Sequence, residues 1–214
     1  MTTTTMTGQE LTQAIAAERQ ELADLLAGLP PEAWDAPTLC AGWRVRELVA
    51  HVTMPFRYST AKFMAELIRS GGRFHAMADR CARRDAAAIA ASGLRQSLLD
   101  NVENPWRPPG GGQAGALTHD VIHGLDLAVP LGIGRRVPRE RLLIVLQAIT
   151  EPRALKHFGA HLTGIELRAE DMDWSFGAGD QVSGLAQDLA LVVCGRKLPP
   201  GHLHGAQAAR LTAG

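Results

Sequence analysis

THDVIHGLDLA, residues 118–128, places His119 and His123 four positions apart within an apolar run. Residues at i and i+4 lie on one face of a helix. Two imidazoles at that spacing can therefore close on a single metal ion, as in other helical His-x-x-x-His pairs. Far upstream, WRVRELVAH (43–51) ends another apolar helical pattern on His51. A third imidazole from a neighbouring helix would complete one side of an ion and leave positions open for water, thiol or substrate. A lone histidine on an apolar face is more often a packed core residue than a ligand. A pair at this spacing, joined by a third on another helix, is less ordinary, and bundle interiors do host metals in this way.

Two carboxylates stand close to the pair in sequence. Asp120 either replaces His119 as a ligand or hydrogen-bonds from outside the coordination sphere. Asp126, three residues after His123, either orients that imidazole by accepting its other N–H or is a helix-surface carboxylate. The remaining histidines, His75, His157, His161, His202 and His204, lie in polar or loop contexts. Neutral imidazoles suit zinc, nickel, iron or copper rather than calcium or magnesium, and zinc is the expected ion.

Working outward, 214 residues allow one large domain or a domain with a small appendage,. A formal net charge of zero argues against nucleic acid or an acidic membrane surface as partner,. With only five Phe and one Tyr against abundant Ala and Leu, the main core is expected to be helical,. Cys40, Cys81 and Cys194 are far apart and form no CxxC pair, which favours a reducing, cytoplasmic compartment,. The start of the chain shows no secretory pattern, and no apolar run approaches the roughly 20 residues of a membrane span.

The pattern predicts a helix over 7–28, capped by Thr7 with Glu10, and a second through Val45, Leu48, Val49 and Val52. Pro55 is expected to kink or interrupt the second before a continuation through Phe63–Ile68. A third stretch, about 74–102, carries possible breaks near Asp85 and Gly93. A Gly/Pro loop then leads to the helix of His119 and His123, and a fifth helix covers 139–149. Beyond about residue 151 the texture changes. Two short strands, 165–169 and 172–176, a third strand near Val182 and an apolar helix at 185–196 suggest a small α+β domain. The expected organisation is a mainly α protein, with a metal-binding helical bundle over 1–150 and a small C-terminal α+β domain over 151–214.

LCAGWRVRELVAHV (39–52), followed by HDVIHGLDL (119–127), resembles the DinB/YfiT-like helical bundles in their mycothiol-dependent maleylpyruvate isomerase branch. The stretch GIELRAEDMDWSFGAGDQVSGLAQDLALVVCGR (164–196) is similar to that branch's small C-terminal domain, so the resemblance covers nearly the whole chain. It implies a DinB-like four-helix bundle with a divalent metal between helices, ligands at His51, His119 and His123, and mycothiol as cosubstrate. It also implies that Arg80, in MADRCARR, lies near the substrate pocket as a catalytic residue. In the isomerase branch the first member of the i,i+4 pair is often a glutamate, whereas here it is His119. Three neutral ligands leave a divalent ion its full +2 charge and make it a stronger Lewis acid.

The expected activity is thus metal-assisted, mycothiol-dependent addition of a thiol to a small electrophile, as a thiol transferase or an isomerase. The alternatives are a divalent-metal-binding DinB-like protein without thiol transfer and a metal-dependent hydrolase. Arg80, with Arg83 or Arg84, is expected to hold an acceptor carboxylate by paired hydrogen bonds, the alternative being a solvated helix face, which is preferred slightly for Arg83 and Arg84. Cys40, just before a helix N-terminus, is a candidate nucleophile but reads better as structural, since no histidine neighbours it in sequence, and Trp43 reads as a packing anchor at a helix start. A monomer or a homodimer fits equally.

Overall fold

The computed structural model describes residues 6–213. The chain is mainly helical with one small four-stranded sheet, and its contacts divide it into two compact units, residues 6–127 and 128 onward. The expected boundary lies at 150/151, whereas this division falls after Leu127. Helix α7 (Arg139–Ile149) thereby groups with the sheet, because its side packs on α9 (Ala186–Val193).

In the first unit, α1 (Gly8–Ala27) begins as the sequence predicts. Thr7 Oγ1 accepts from Glu10 N at 3.3 Å while Glu10 Oε2 accepts from Thr7 N at 2.7 Å, satisfying two otherwise orphaned donors,. A 3-10 turn (Pro31–Asp35) leads to α2 (Val45–Arg57), α3 (Thr60–Arg69), α4 (Phe74–Ala88), α5 (Ala91–Leu99) and α6 (Gly112–Ala128). Pro55 does not break α2. It removes the N–H that would donate to the His51 carbonyl, and the helix runs on only two residues more, to Arg57,. The expected continuation is a separate helix, α3, capped by Ser59. The third stretch breaks at Ile89–Ala90, two extended residues, rather than at Asp85 or Gly93.

Helix α2 packs on α4 and α5, and α5 packs on α1. Leu22, Leu26, Val45, Leu48, Val49, Leu94, Leu98, Leu117, Val121 and Leu125 are buried there. Each such side chain contributes about 1.5–3 kcal/mol by leaving water. A satellite cluster of Met54, Tyr58, Met77 and Cys81, flanked by Phe63 and Leu67, joins α2, α3 and α4.

The second unit holds α7, a short helix α8 (Pro152–Phe158), strands β1 (Gly164–Ala169), β2 (Ser175–Gly177), β3 (Gly179–Gly184) and β4 (Leu203–His204), and α9. The sheet order is β2-β1-β3-β4, with β1 and β3 parallel and the edge pairs antiparallel. Gly179, at φ 131°, sits where a Cβ would lie 2.2 Å from the Gly164 carbonyl oxygen, so only glycine joins β2 to β3 this closely,. Ile165, Leu167, Val182 and Leu189 are buried beneath α9 and the sheet. Among the described residues no helix is long and apolar enough to cross a membrane.

Candidate metal centre

The loop before α2 is built to place side chains at the helix start. Thr38 N donates to Trp43 O at 3.0 Å, Trp43 N to Cys40 O at 2.9 Å and Val45 N to Ala36 O at 3.0 Å. Gly42 closes this turn at φ 76°, a left-handed conformation that costs other residues more,. Leu39 N donates to Asp126 O at 3.0 Å, tying the loop to the end of α6. Trp43 Nε1 donates to Asp79 Oδ1 at 2.8 Å, so the indole is anchored on α4.

Along α2, Val45, Leu48, Val49 and Val52 face the core and His51 sits at the margin of that face, half-buried. On α6, Val121, Ile122 and Leu125 are buried, and His119 and His123 share the adjoining face. The three rings meet. His51 lies 5.5 Å from His119 and 5.1 Å from His123 between ring centroids, and His119 lies 4.7 Å from His123. One nitrogen from each ring falls within 4.8 Å of the others, a separation that a single ion can bridge. Trp43 flanks His51 at 5.0 Å and Trp106 flanks His119 at 5.2 Å.

Each α6 imidazole is held by a buried carboxylate. His119 Nδ1 donates to Asp120 Oδ1 at 2.9 Å and His123 Nδ1 to Asp126 Oδ2 at 3.0 Å. A carboxylate only accepts, so these bonds put the ring proton on Nδ1 and leave each Nε2 lone pair for an ion. The residues therefore fit a transition-metal ion such as zinc: neutral nitrogen donors, oriented from behind, and too few hard oxygen ligands facing inward for calcium or magnesium.

Asp120 has a second partner. Its Oδ2 accepts from Arg19 Nε at 2.8 Å, with the two side chains 1 % and 0 % exposed. Arg19 Nη1 also donates to Asn104 O at 2.6 Å, while Nη2 makes no hydrogen bond. The helix α1 thus reaches the carboxylate that holds the His119 ring of α6 through a fully buried ion pair. Sequence reasoning missed Arg19, although a signal was present: it occupies the apolar stripe of Ile15, Leu22 and Leu26 at helical spacing, where an arginine is out of place unless paired. Cys40, read from the sequence as structural, stands in the site as well. Its Sγ donates to Asp126 Oδ2 at 3.1 Å and lies 3.8 Å from His123 Nδ1 across 83 residues of chain, a distance no local motif encodes.

Arg80 lies on α4 with its guanidinium turned to α3. Nη1 donates to Glu66 Oε2 at 2.7 Å, and Nη2 to Glu66 O at 3.0 Å and Ser70 Oγ at 3.2 Å. Arg84 donates to the other Glu66 oxygen at 2.7 Å, and these two guanidinium groups hold the Glu66 carboxyl down at about 2. Arg83 pairs with Asp79 at 2.9 Å on an exposed face. The contacts of Arg80 are with this network, not with the imidazoles.

The site is thus a helical bundle whose histidines converge from two helices onto one point. Residues 15–104 match the family described as mycothiol maleylpyruvate isomerase N-terminal domain. The matched span contains Cys40, His51 and Arg80 and stops short of α6. Uncharacterized proteins from two strains of Mycobacterium tuberculosis are each 26 % identical, over 86 % of this chain and 84 % of theirs. A crystal structure of the mycothiol-dependent maleylpyruvate isomerase superposes with a TM-score of 0.61 at 12 % identity, covering 95 % of this chain and 94 % of that one. A histidine-to-alanine mutant of a mycothiol-dependent maleylpyruvate isomerase gives 0.57 at 14 % identity, with the same coverage. These likenesses establish the fold.

Proposed function

We propose that the protein is a metal-dependent enzyme that uses mycothiol, or a thiol like it, to attack a small electrophilic acceptor. The observation that carries this reading is the meeting of His51, His119 and His123, with two of the rings held from behind by Asp120 and Asp126. A divalent ion, zinc by preference, held there supplies Lewis acidity that favours the thiolate form of a thiol at an open position.

The chain's own groups divide the remaining work. Asp120, locked by Arg19, and Asp126 hold two rings in the tautomer that presents Nε2. Trp43 and Trp106 pack against His51 and His119 and hold those rings from the side. In the reaction, the thiolate sulfur forms a bond to the electrophilic carbon and the double-bond pair moves onto the acceptor's carbonyl. Rotation about the new single bond and loss of thiolate yields the trans isomer; retention and protonation of the adduct yields the S-conjugate. Arg80 is the proposed anchor for an acceptor carboxylate, which would take the place of Glu66 on its guanidinium. Cys40, Cys81 and Cys194, none of them in a disulfide, fit a reducing, cytoplasmic setting,.

One feature favours a second reading. Three neutral histidines with an open side are also the ligand set of hydrolytic and hydration centres that use bound water. Thiol dependence separates the two. Zinc-loaded protein is mixed with a small cis-configured activated alkene, with and without mycothiol. The proposal expects consumption to accelerate with mycothiol and to vanish in His51→Ala. Equal rates with and without thiol would refute thiol transfer.

A further inference from the structure

Beside the histidine triad, a second group of donors of mixed chemistry converges in the same unit. Cys40 Sγ lies 3.8 Å from His123 Nδ1 and 3.1 Å from Asp126 Oδ2, and those two atoms are 3.0 Å apart. Around a tetrahedral zinc, with Zn–S of about 2.3 Å, Zn–N of about 2.0–2.1 Å and Zn–O of about 2.0–2.2 Å, neighbouring donors sit about 3.3–3.6 Å apart. The observed separations of 3.0, 3.1 and 3.8 Å straddle that range, so small side-chain adjustments seat an ion.

We propose that Cys40, His123 and Asp126 form a second metal site, for a soft or borderline divalent ion, that shares the His123 ring with the triad.

Three arguments support it. The first is charge. A Cys40 thiolate and the Asp126 carboxylate together cancel a +2 ion, and they do so where Asp126 is fully buried and an uncompensated charge is costly,. The triad, being neutral, has no such compensation, so the two sites differ in kind. The second is ligand type. Thiolate selects zinc, cadmium or cobalt over calcium and magnesium. The third is geometry. The two nitrogens of His123 point to different sides of the ring, Nδ1 toward Cys40 and Asp126, leaving Nε2 for His51 and His119. Filling the second site alone releases the Cys40 S–H proton to solvent and shifts the His123 proton to Nε2. Filling both sites releases that ring proton as well, leaving a negative imidazolate between two cations. Cys40 is half-exposed, which gives an ion access, whereas Cys81 and Cys194 are buried.

This site rests on the triad reading only through the shared ring, and the experiment separates them. Purified protein is titrated anaerobically with Co2+, reading the thiolate-to-cobalt charge-transfer band in the near ultraviolet and the bound stoichiometry by equilibrium dialysis. Far-ultraviolet circular dichroism checks the fold of each variant. The expected result is a charge-transfer band in the wild type and in His51→Ala, falling to baseline in Cys40→Ser. A wild type without the band, a band lost in His51→Ala, or one retained in Cys40→Ser would overturn the second site. The triad is judged separately by the stoichiometry of Cys40→Ser: one equivalent upholds it, and none refutes it whatever the band shows.

Discussion

Arg19 Nε lies 2.8 Å from Asp120 Oδ2, which joins a fully buried guanidinium on α1 to the carboxylate that holds His119 on α6. The pair has two consequences that can be measured apart. A buried ion pair contributes modestly as a pair, but breaking it leaves one charge stranded. A carboxylate behind a metal-binding imidazole sets the ring's tautomer and direction.

Asp120→Asn should therefore reduce metal affinity by about 10–100-fold. It should also destabilise the protein by about 3–5 kcal/mol, because Arg19 loses its counter-charge in the interior. The double variant Arg19→Met with Asp120→Asn removes the stranded charge. It should recover most of the stability, read by urea unfolding, without recovering affinity, read by competition with a chelator. Recovery of both together would mean that Asp120 serves folding alone.

His123→Ala is expected to remove all stoichiometric metal, since this ring belongs to both proposed sites. His51→Ala removes only the triad ion. Neither side chain is fully buried, so helical circular dichroism should be nearly unchanged in both. Elemental analysis of purified variants gives the answer, and retained metal in His123→Ala would contradict the assignment.

Glu66 gives a pH dependence with a definite sign. The guanidinium groups of Arg84 and Arg80 lower its folded pKa from the ordinary 4.5 to about 2. Its stabilising contribution is fully present above the unfolded value of 4.5 and is lost as pH falls from there toward about 2,. Glu66→Gln should flatten the stability profile across that window and leave the slope near neutrality unaltered. An unchanged acid limb, measured by denaturant unfolding at stepped pH, would show that the Glu66 network does not carry the effect.

Much of this was legible in the sequence, for reasons that particular residues show. Thr7 with Glu10 announces the start of α1 because a capping box is local chemistry. His119 and His123 announce a site because i,i+4 spacing is local geometry. The break at Ile89–Ala90 was not legible, since neither residue is a helix breaker, yet both are extended. Strand β4 escaped because two residues, Leu203 and His204, carry no periodicity. The short helix α8 starts on Pro152, a residue that sequence alone reads as readily as a turn,. Around the site, the links Arg19–Asp120 and Cys40–Asp126 span 101 and 86 residues, and no spacing rule reaches that far.

Gly42 tests the loop that delivers Cys40 and Trp43. At φ 76° it accepts a side chain only with strain of about 1–2 kcal/mol,. Gly42→Ala should lower the thermal midpoint accordingly and weaken cobalt binding at Cys40 more than at the triad. A variant with wild-type melting would show that the turn relaxes without cost.

The central question is whether three imidazoles hold one ion. Zinc-loaded protein examined by anomalous diffraction at the zinc edge decides it. The prediction is a peak with nitrogen atoms of His51, His119 and His123 at about 2.0–2.1 Å and at least one position left to solvent or thiol. No zinc between the three rings at saturating metal, whether or not the Cys40 site is filled, would contradict it.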